Sequence, residues 1–252
     1  SSTLLVFILT TGVFGIINTE MGVIGILPLI AENFQVTVPE AGWTVSIFAL
    51  VVAISAPITP LLFSGINRKK VMILALGLFT LSNIISMMTT NFTVLLISRA
   101  LPAFLHPVYV SMAFTVAAAS LSKEKAPKAV AKVFIGVSAG MVLGVPVTSY
   151  IASEVSYSMG MLFFTVVNAL VLVATILFVP SMPVKEKLSY GTQLGVLKKK
   201  VVWYSILAIT LINGALFGFF SYMSDYLKTI TGVSYTVIST MLLIYGPVSY
   251  TH

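Results

Sequence analysis

Residues 4–30 read LLVFILTTGVFGIINTEMGVIGILPLI, an uninterrupted apolar run in which Glu20 is the one ionisable side chain. A transmembrane helix needs about 20 mostly apolar residues to cross about 30 Å of hydrocarbon, and this run exceeds that length. It is too long, and too unlike a small-residue cleavage site, to be a signal peptide, so it is expected to remain as a span. Composition extends the reading to the whole chain. Of 252 residues, 58% are hydrophobic and 8% are charged, with a mean hydropathy of +1.06, whereas an ordinary soluble domain carries about a quarter charged residues. A globular surface cannot be built from so little charge.

Six further stretches pass the same length test: 42–63, 71–89, 94–119, 133–152, 159–179 and 201–222. An eighth apolar run from Val237 to Gly246 is too short to span before Pro247 and a polar end. The fold class is therefore an all-α membrane protein, a polytopic helical bundle. Between these runs, Arg68, Lys69 and Lys70 follow the second, Lys123, Lys125, Lys128 and Lys132 the fourth, and Lys185, Lys187, Lys198, Lys199 and Lys200 the sixth. Twelve of the fourteen basic residues thus fall on one side, while the opposite loops hold Lys228 with Glu32, Glu40, Glu154 and Asp225. The excess of Lys and Arg on cytoplasmic loops places that side, and the amino terminus, in the cytoplasm. The one long connection, from Pro180 to Lys200, carries Pro180, Pro183, Gly191 and Gly195 as breakers. It divides the chain into a six-helix half at 1–180, a cytoplasmic linker at 181–200, and the opening of a second half at 201–252.

The net charge of +7 does not indicate nucleic acid, because the basic residues sit in short clusters between apolar runs, as at a membrane face. Cysteine is absent and histidine occurs twice, at His106 and His252. No metal site and no cofactor is expected. No Walker-type phosphate loop appears, and no nucleophile, base and orienting group assemble on one face, so the chain does not read as an enzyme.

Ionisable groups inside the bilayer are costly and are functional by default. Glu20 lies near the middle of the first span. Arg99 lies in the outer half of the fourth, and His106 follows seven residues on, two turns along the same face. Opposite running directions of these spans put Glu20 and Arg99 at similar depth, where a pairing is possible. His106 has a structural reading as well, as an imidazole bonded to a carbonyl freed by Pro102 or Pro107. In the fifth span Gly136, Gly140 and Gly144 recur every four residues, a spacing that lets two helix backbones approach closely. Pro57, Pro60, Pro102 and Pro107 loosen the second and fourth spans. Trp43, Trp203, Tyr157 and Tyr222 sit at expected interfaces, where aromatic anchors belong.

In order along the chain, these residues resemble the drug:proton antiporter branch of the major facilitator superfamily, particularly bacterial sugar-efflux and arabinose-efflux-like permeases. Thr19-Glu20-Met21 followed by Gly25-Ile26-Leu27-Pro28-Leu29-Ile30-Ala31 is similar to that branch's Thr-Glu-Phe and Gly-Leu-Leu-Pro-x-Ile-Ala signature. The segment with Arg99 and His106 resembles its Arg-x-x-x-Gly-x-x-His-Gly pattern, with Ala103 and Pro107 in place of the two glycines. Gly144-Val145-Pro146 resembles the helix 5 antiporter motif. In the loop after the second span, Pro60, Ser64 and Gly65 replace the Gly, Asp and Arg of the superfamily pattern, while Arg68 and Lys69 remain.

The resemblance implies twelve helices in two halves of inverted repeats, of which this chain holds the first half and the start of the second. It implies a bacterial inner-membrane exporter, monomeric when full length, whose partners are a small solute (a sugar, nucleoside or drug), protons and the lipid bilayer. A symporter on the same fold and a non-transporting scaffold or sensor are the rival readings. In the exporter reading Glu20 carries the proton and Arg99 tunes it: burial favours the neutral carboxyl and a nearby guanidinium favours the carboxylate. Gly140, Gly144 and Pro146 form the helix 5 contact that favours exchange over leak, and Arg68 and Lys69 belong to the cytoplasmic gate loop. Asn18, His106, Asn213 and Tyr222 are candidates to line the solute cavity.

Cysteines placed singly in this cysteine-free chain test the orientation. In intact cells a membrane-impermeant thiol reagent should label Asn33→Cys and spare Ser122→Cys and Thr192→Cys, and labelling of either of the latter two from outside would reverse the topology.

Overall fold

The computed structural model of the chain describes residues 1–185, 189–234, 237–238, 240–241 and 243–244. Six helices among them are long and apolar enough to cross a bilayer: α1 Ser2–Phe34, α2 Val38–Ser55, α3 Arg68–Met88, α4 Phe92–Ser120, α5 Ala126–Glu154 and α6 Tyr157–Phe178. They coincide with the first six expected spans. A short helix α7, Tyr190–Val196, precedes α8, Lys200–Thr229. The expected seventh span falls on α8, whose described apolar portion is Lys200–Leu216, and most of the eighth apolar run lies outside the described residues. The chain forms two compact units, Ser1–Glu186 and Lys187–His252.

Five of the six long helices of the first unit, all but α5, start where a polar side chain takes up a free amide. Ser1 accepts from the Leu4 amide, Asn67 from Lys69, Asn91 from Val94 and Ser156 from Met159. At α2, Thr37 and Glu40 cap each other reciprocally, the hydroxyl accepting from the Glu40 amide and the carboxylate from the Thr37 amide. α5 begins seven residues before the apolar run does, so the exposed Lys128 and Lys132 stand on a helix rather than in a loop. Hydropathy marks only the part of a helix that meets hydrocarbon, and the backbone continues beyond it.

In the first unit α1 is the enclosed helix. In its most apolar window 61% of residues are buried, against 22% for α5. α1 packs on α4, α5 and α6, α3 packs on α4 and α6, and α2 packs on α4. Exchanging α1, α2 and α3 with α4, α5 and α6 maps α1–α5 onto α2–α4 and α1–α6 onto α3–α4, and leaves α3–α6 and α1–α4 in place. This is the pairing of two three-helix repeats.

Antiparallel α3 and α6 are tied at both ends. At one end Asn67 Nδ2 donates to Ser181 Oγ (2.7 Å), the Arg68 amide to the Met182 carbonyl (3.1 Å) and Lys69 Nζ to the Ile176 carbonyl (3.0 Å). At the other, Tyr157 Oη donates to the Ser86 carbonyl (2.9 Å) and Ser158 Oγ to that of Met87 (3.4 Å).

The parallel α1–α5 contact is the tightest. Thr10, Phe14, Asn18 and Gly22 of α1 face Gly136, Gly140, Gly144 and Thr148 of α5, one level per turn. A Cβ on Gly136 would collide with the Thr10 carbonyl, and one on Gly140 would lie 2.8 Å from Ile17 Cβ and 3.1 Å from the Phe14 carbonyl. Close backbone approach of this kind supplies van der Waals contact where lipid offers no hydrophobic drive for helices to associate. Gly77 of α3, by contrast, has nothing within 4 Å of its Cβ position. Gly140→Ala should therefore cost about 1–3 kcal/mol through overpacking, while Gly77→Ala should be neutral or gain up to about 1 kcal/mol of helix propensity. Thermal unfolding of the two variants in detergent checks the contrast, and equal melting behaviour would contradict it.

Candidate functional site

The polar centre forms where two of these helices are interrupted. In α1 the α-helix Ser2–Gly22 passes through a 3₁₀ turn, Val23–Ile26, before resuming as Leu27–Phe34 with Pro28 in its first turn. The Val23 amide turns to the Met21 carbonyl, which leaves the Thr19 carbonyl without its helical donor. α4 is likewise two pieces, Phe92–Ala103 and His106–Ser120. Pro107 has no amide to offer the Ala103 carbonyl and its ring excludes one. Ser55 Oγ of α2 lies 3.4 Å from that carbonyl and 3.3 Å from the Val52 carbonyl, and its one proton serves both. The sequence reading set Arg99 and His106 two turns apart on one continuous face, whereas they stand on the two pieces of an interrupted helix.

Arg99, 3% exposed, fills the vacancy in α1. Its Nη1 donates to the Thr19 carbonyl (2.6 Å), its Nη2 to the Glu20 carbonyl (3.2 Å) and its Nε to the Thr44 carbonyl of α2 (3.1 Å). The planar five-donor fork suits this task, and its face lies 4.7 Å from the centroid of the Phe48 ring, a cation–π contact. Carbonyl dipoles and the ring together compensate a charge that hydrocarbon alone would expel.

The Glu20 carboxylate turns to His106: Oε2 and Nε2 are 2.8 Å apart, with Glu20 20% and His106 11% exposed at the side chain. Among the described residues this is the one contact of ion-pair geometry. Arg99 meets Glu20 at its backbone carbonyl, so the direct carboxylate–guanidinium contact that the sequence left open is replaced by a carboxylate–imidazole contact. Phe48 meets both: its ring is T-shaped to the imidazole, with centroids 5.7 Å apart, and the Arg99 guanidinium carbon lies over it.

Thr19, next in line, joins four helices. Its carbonyl receives Arg99, and its hydroxyl donates to the Gly15 carbonyl (2.9 Å) while accepting from Asn168 Nδ2 of α6 (2.9 Å) and Asn83 Nδ2 of α3 (3.4 Å). Thr19 entered the sequence reading only as part of the Thr19-Glu20-Met21 signature, and Thr44, Phe48, Asn83 and Asn168 were not singled out. Amides inside apolar runs were the available signal for the two asparagines, whereas Phe48 is one phenylalanine among sixteen.

Of the other candidates, Asn18 is fully buried in the α1–α5 seam, with Oδ1 3.1 Å from the Cβ position of Gly144 and no hydrogen-bond partner for its amide. Gly140 and Gly144 lie in that seam, and Pro146 lies inside α5 two residues beyond Gly144, about half a turn on. Arg68 and Lys69 open α3, where Lys69 binds the last turn of α6. Asn213 is an exposed residue of α8 whose Nδ2 donates to the Ile209 carbonyl (2.9 Å). The side chains of Tyr222 and Asp225 lie outside the described residues. No group of three or more metal-ligating side chains occurs among the described residues.

A family model of the Major Facilitator Superfamily matches residues 5–249. The inner membrane transport protein YdhP of Escherichia coli is 29% identical over 238 residues, covering 94% of this chain and 61% of that protein. The putative transporter AraJ of the same organism is 27% identical over 238 residues, covering 94% and 60%. The chain thus spans about three fifths of the length of the curated relatives it matches. Among solved structures, the human organic anion transporter MFSD10 superposes with a TM-score of 0.72 at 16% identity, covering 98% of this chain and 70% of that one. A bacterial homologue of the human lysosomal transporter Spinster gives 0.68 at 17% identity, covering 97% and 58%. At those identities the likeness establishes the fold, and it is the bundle that the helix pattern and the resemblance implied.

The carbonyl clamp makes Arg99 irreplaceable by a mere positive charge. Arg99→Lys should lose on the order of 2 kcal/mol of stability, because one ammonium cannot serve three carbonyls on two helices, and Arg99→Ala should lose more. Thermal unfolding in lipid nanodiscs checks the order, and an Arg99→Ala variant as stable as the parent would remove the clamp from the account.

Proposed function

The chain belongs to the major facilitator superfamily, and from that premise we propose that the complete protein is a multi-pass inner-membrane exporter that exchanges protons for a small organic solute by alternating access. Residues 1–180 supply its first six-helix half, 181–200 a cytoplasmic linker and 201–252 the opening of the second half, with the amino terminus in the cytoplasm. The solute is a sugar, a nucleoside or an amphipathic drug, met in a cavity between the two halves.

The observation that carries this reading is a carboxylate placed mid-helix in an apolar bundle and bonded to an imidazole of a second helix. A structural acid at that depth would be expensive to keep. A proton carrier has to be there. Glu20 is the carrier in this proposal, and Arg99 serves it by fixing the backbone of α1 on either side of the carboxylate. Gly140, Gly144 and Pro146 keep α1 and α5 in close register, which favours exchange over leak. Arg68 and Lys69 belong to the cytoplasmic gate, whose acidic partner in the superfamily pattern is replaced by Ser64.

Glu20→Gln reproduces the protonated carboxyl in size and hydrogen bonding. In proteoliposomes of the full-length transporter, loaded with radiolabelled sugars and nucleosides, downhill exchange should persist in this variant. Export driven uphill by an imposed pH gradient should fall at least tenfold, and uphill export at the parent rate would make Glu20 a structural acid.

A further inference from the structure

We infer that His106 is the second member of the proton site: Glu20 and His106 hold the coupled proton jointly, as one acid–base unit bridging the two three-helix repeats. This rests on the reading of Glu20 as proton carrier and assigns it a partner on another helix.

Four observations converge. Oε2 and Nε2 are at hydrogen-bonding distance, 2.8 Å. The nearest permanent cation, Arg99, directs its donors to the carbonyls of Thr19, Glu20 and Thr44, and both it and the imidazole contact the Phe48 ring. Nδ1 of His106 is buried and has no hydrogen-bond partner, so a proton placed there would go unpaired, and the polar exchange of the ring is directed to the Nε2–Oε2 side. Finally, few other ionisable groups surround the pair. α4 contributes Arg99 and Tyr109, whose hydroxyl points at Gly12 of α1. The stretches 43–55 of α2 and 71–88 of α3 contain none, and 133–153 of α5 contains only Tyr150, which is exposed.

The proton balance is simple. In the unloaded unit Nε2–H donates to the carboxylate, Nδ1 keeps its lone pair, and the pair carries one negative charge. Loading adds one proton from water to a carboxyl oxygen of Glu20, while Nε2–H keeps donating to the other, and makes the pair neutral. Unloading returns that proton to water. No other bond changes. Glu20 is the more exposed member, so the exchange with water runs through the carboxyl side. Glu20 stands on α1 and His106 on the second piece of α4, immediately after the interruption at Phe104 and Leu105. Movement of one repeat against the other would part Oε2 from Nε2, which ties the proton affinity of the unit to the conformation of the half.

The test needs no solute. The full-length transporter is labelled with ¹⁵N-histidine, placed in lipid vesicles and followed by solid-state NMR between about pH 5 and 9, the His106 resonances being those lost in His106→Gln. If the two groups share a proton, their titrations are coupled, and Glu20→Gln should displace the midpoint of the His106 titration by about one pH unit or more. Superimposable curves for the parent and Glu20→Gln would overturn the inference. Glu20→Asp, which draws the carboxylate back by one methylene, supplies the same comparison should Glu20→Gln fail to insert, and superimposable curves there would overturn it equally. The outcome is separable from that of the flux experiment. Loss of uphill export in Glu20→Gln with unchanged His106 titration removes His106 alone, whereas parent-rate export removes the proton-carrier reading itself.

Discussion

Everything around the polar centre follows from the requirement that backbone groups inside hydrocarbon find their partners within the protein. α1 gives up one helical hydrogen bond at Thr19, and α4 gives up one at Ala103. Arg99 answers the first at the Thr19 carbonyl and also bonds the Glu20 carbonyl and the Thr44 carbonyl of α2, and Ser55 shares its proton between the second and the Val52 carbonyl. The same guanidinium that closes the gap in α1 is itself made tolerable by those carbonyls and by the Phe48 ring.

That mutual dependence frees the carboxylate of Glu20. A guanidinium bound to it directly would form a permanent ion pair, strongly favouring the charged form. With Arg99 turned to the backbone, the group facing Glu20 is an imidazole, whose own charge can change. The site therefore has a fixed cation whose donors go to the backbone and an imidazole that contacts the acid, with one aromatic ring touching both. α1 is held by Arg99 from α4, by Asn83 and Asn168 at Thr19, and by the glycine stripe of α5. The cost of such close packing is visible in Asn18 and Thr148, buried in the seam with side-chain atoms that have no hydrogen-bond partner.

Much of the architecture was legible from residue order alone. Hydrocarbon thickness dictates span length, so each long apolar run had to be a helix, and the basic clusters that separate the runs fall on alternate connections. Gly136, Gly140 and Gly144 announced a tight contact because only small residues at that spacing let backbones meet. Glu20, Arg99 and His106 stood out because hydrocarbon penalises ionisable groups, which makes each one conspicuous in an apolar run. The helix start before Lys128 was misplaced for a related reason: exposed turns beyond the bilayer carry no hydropathy signal.

The partners of those groups were decided by tertiary structure. Residue spacing placed Arg99 and His106 on one face of a continuous helix, but the reach of each depends on where α4 is interrupted and on which carbonyls α1 leaves unpaired. Both are properties of the backbone in three dimensions. Which helix lies against the glycine stripe, and that Asn18 faces Gly144 rather than a cavity, follow from the parallel register of α1 and α5, and nothing in either segment encodes that register locally. The sequence by itself determined that the chain is a bundle of apolar helices with a rare acid, a rare arginine and a rare imidazole within it, because solvation by lipid constrains composition directly. Only the packed structure decided that the acid faces the imidazole and the arginine faces the backbone, because hydrogen-bond direction is fixed by the relative placement of helices that are far apart along the chain.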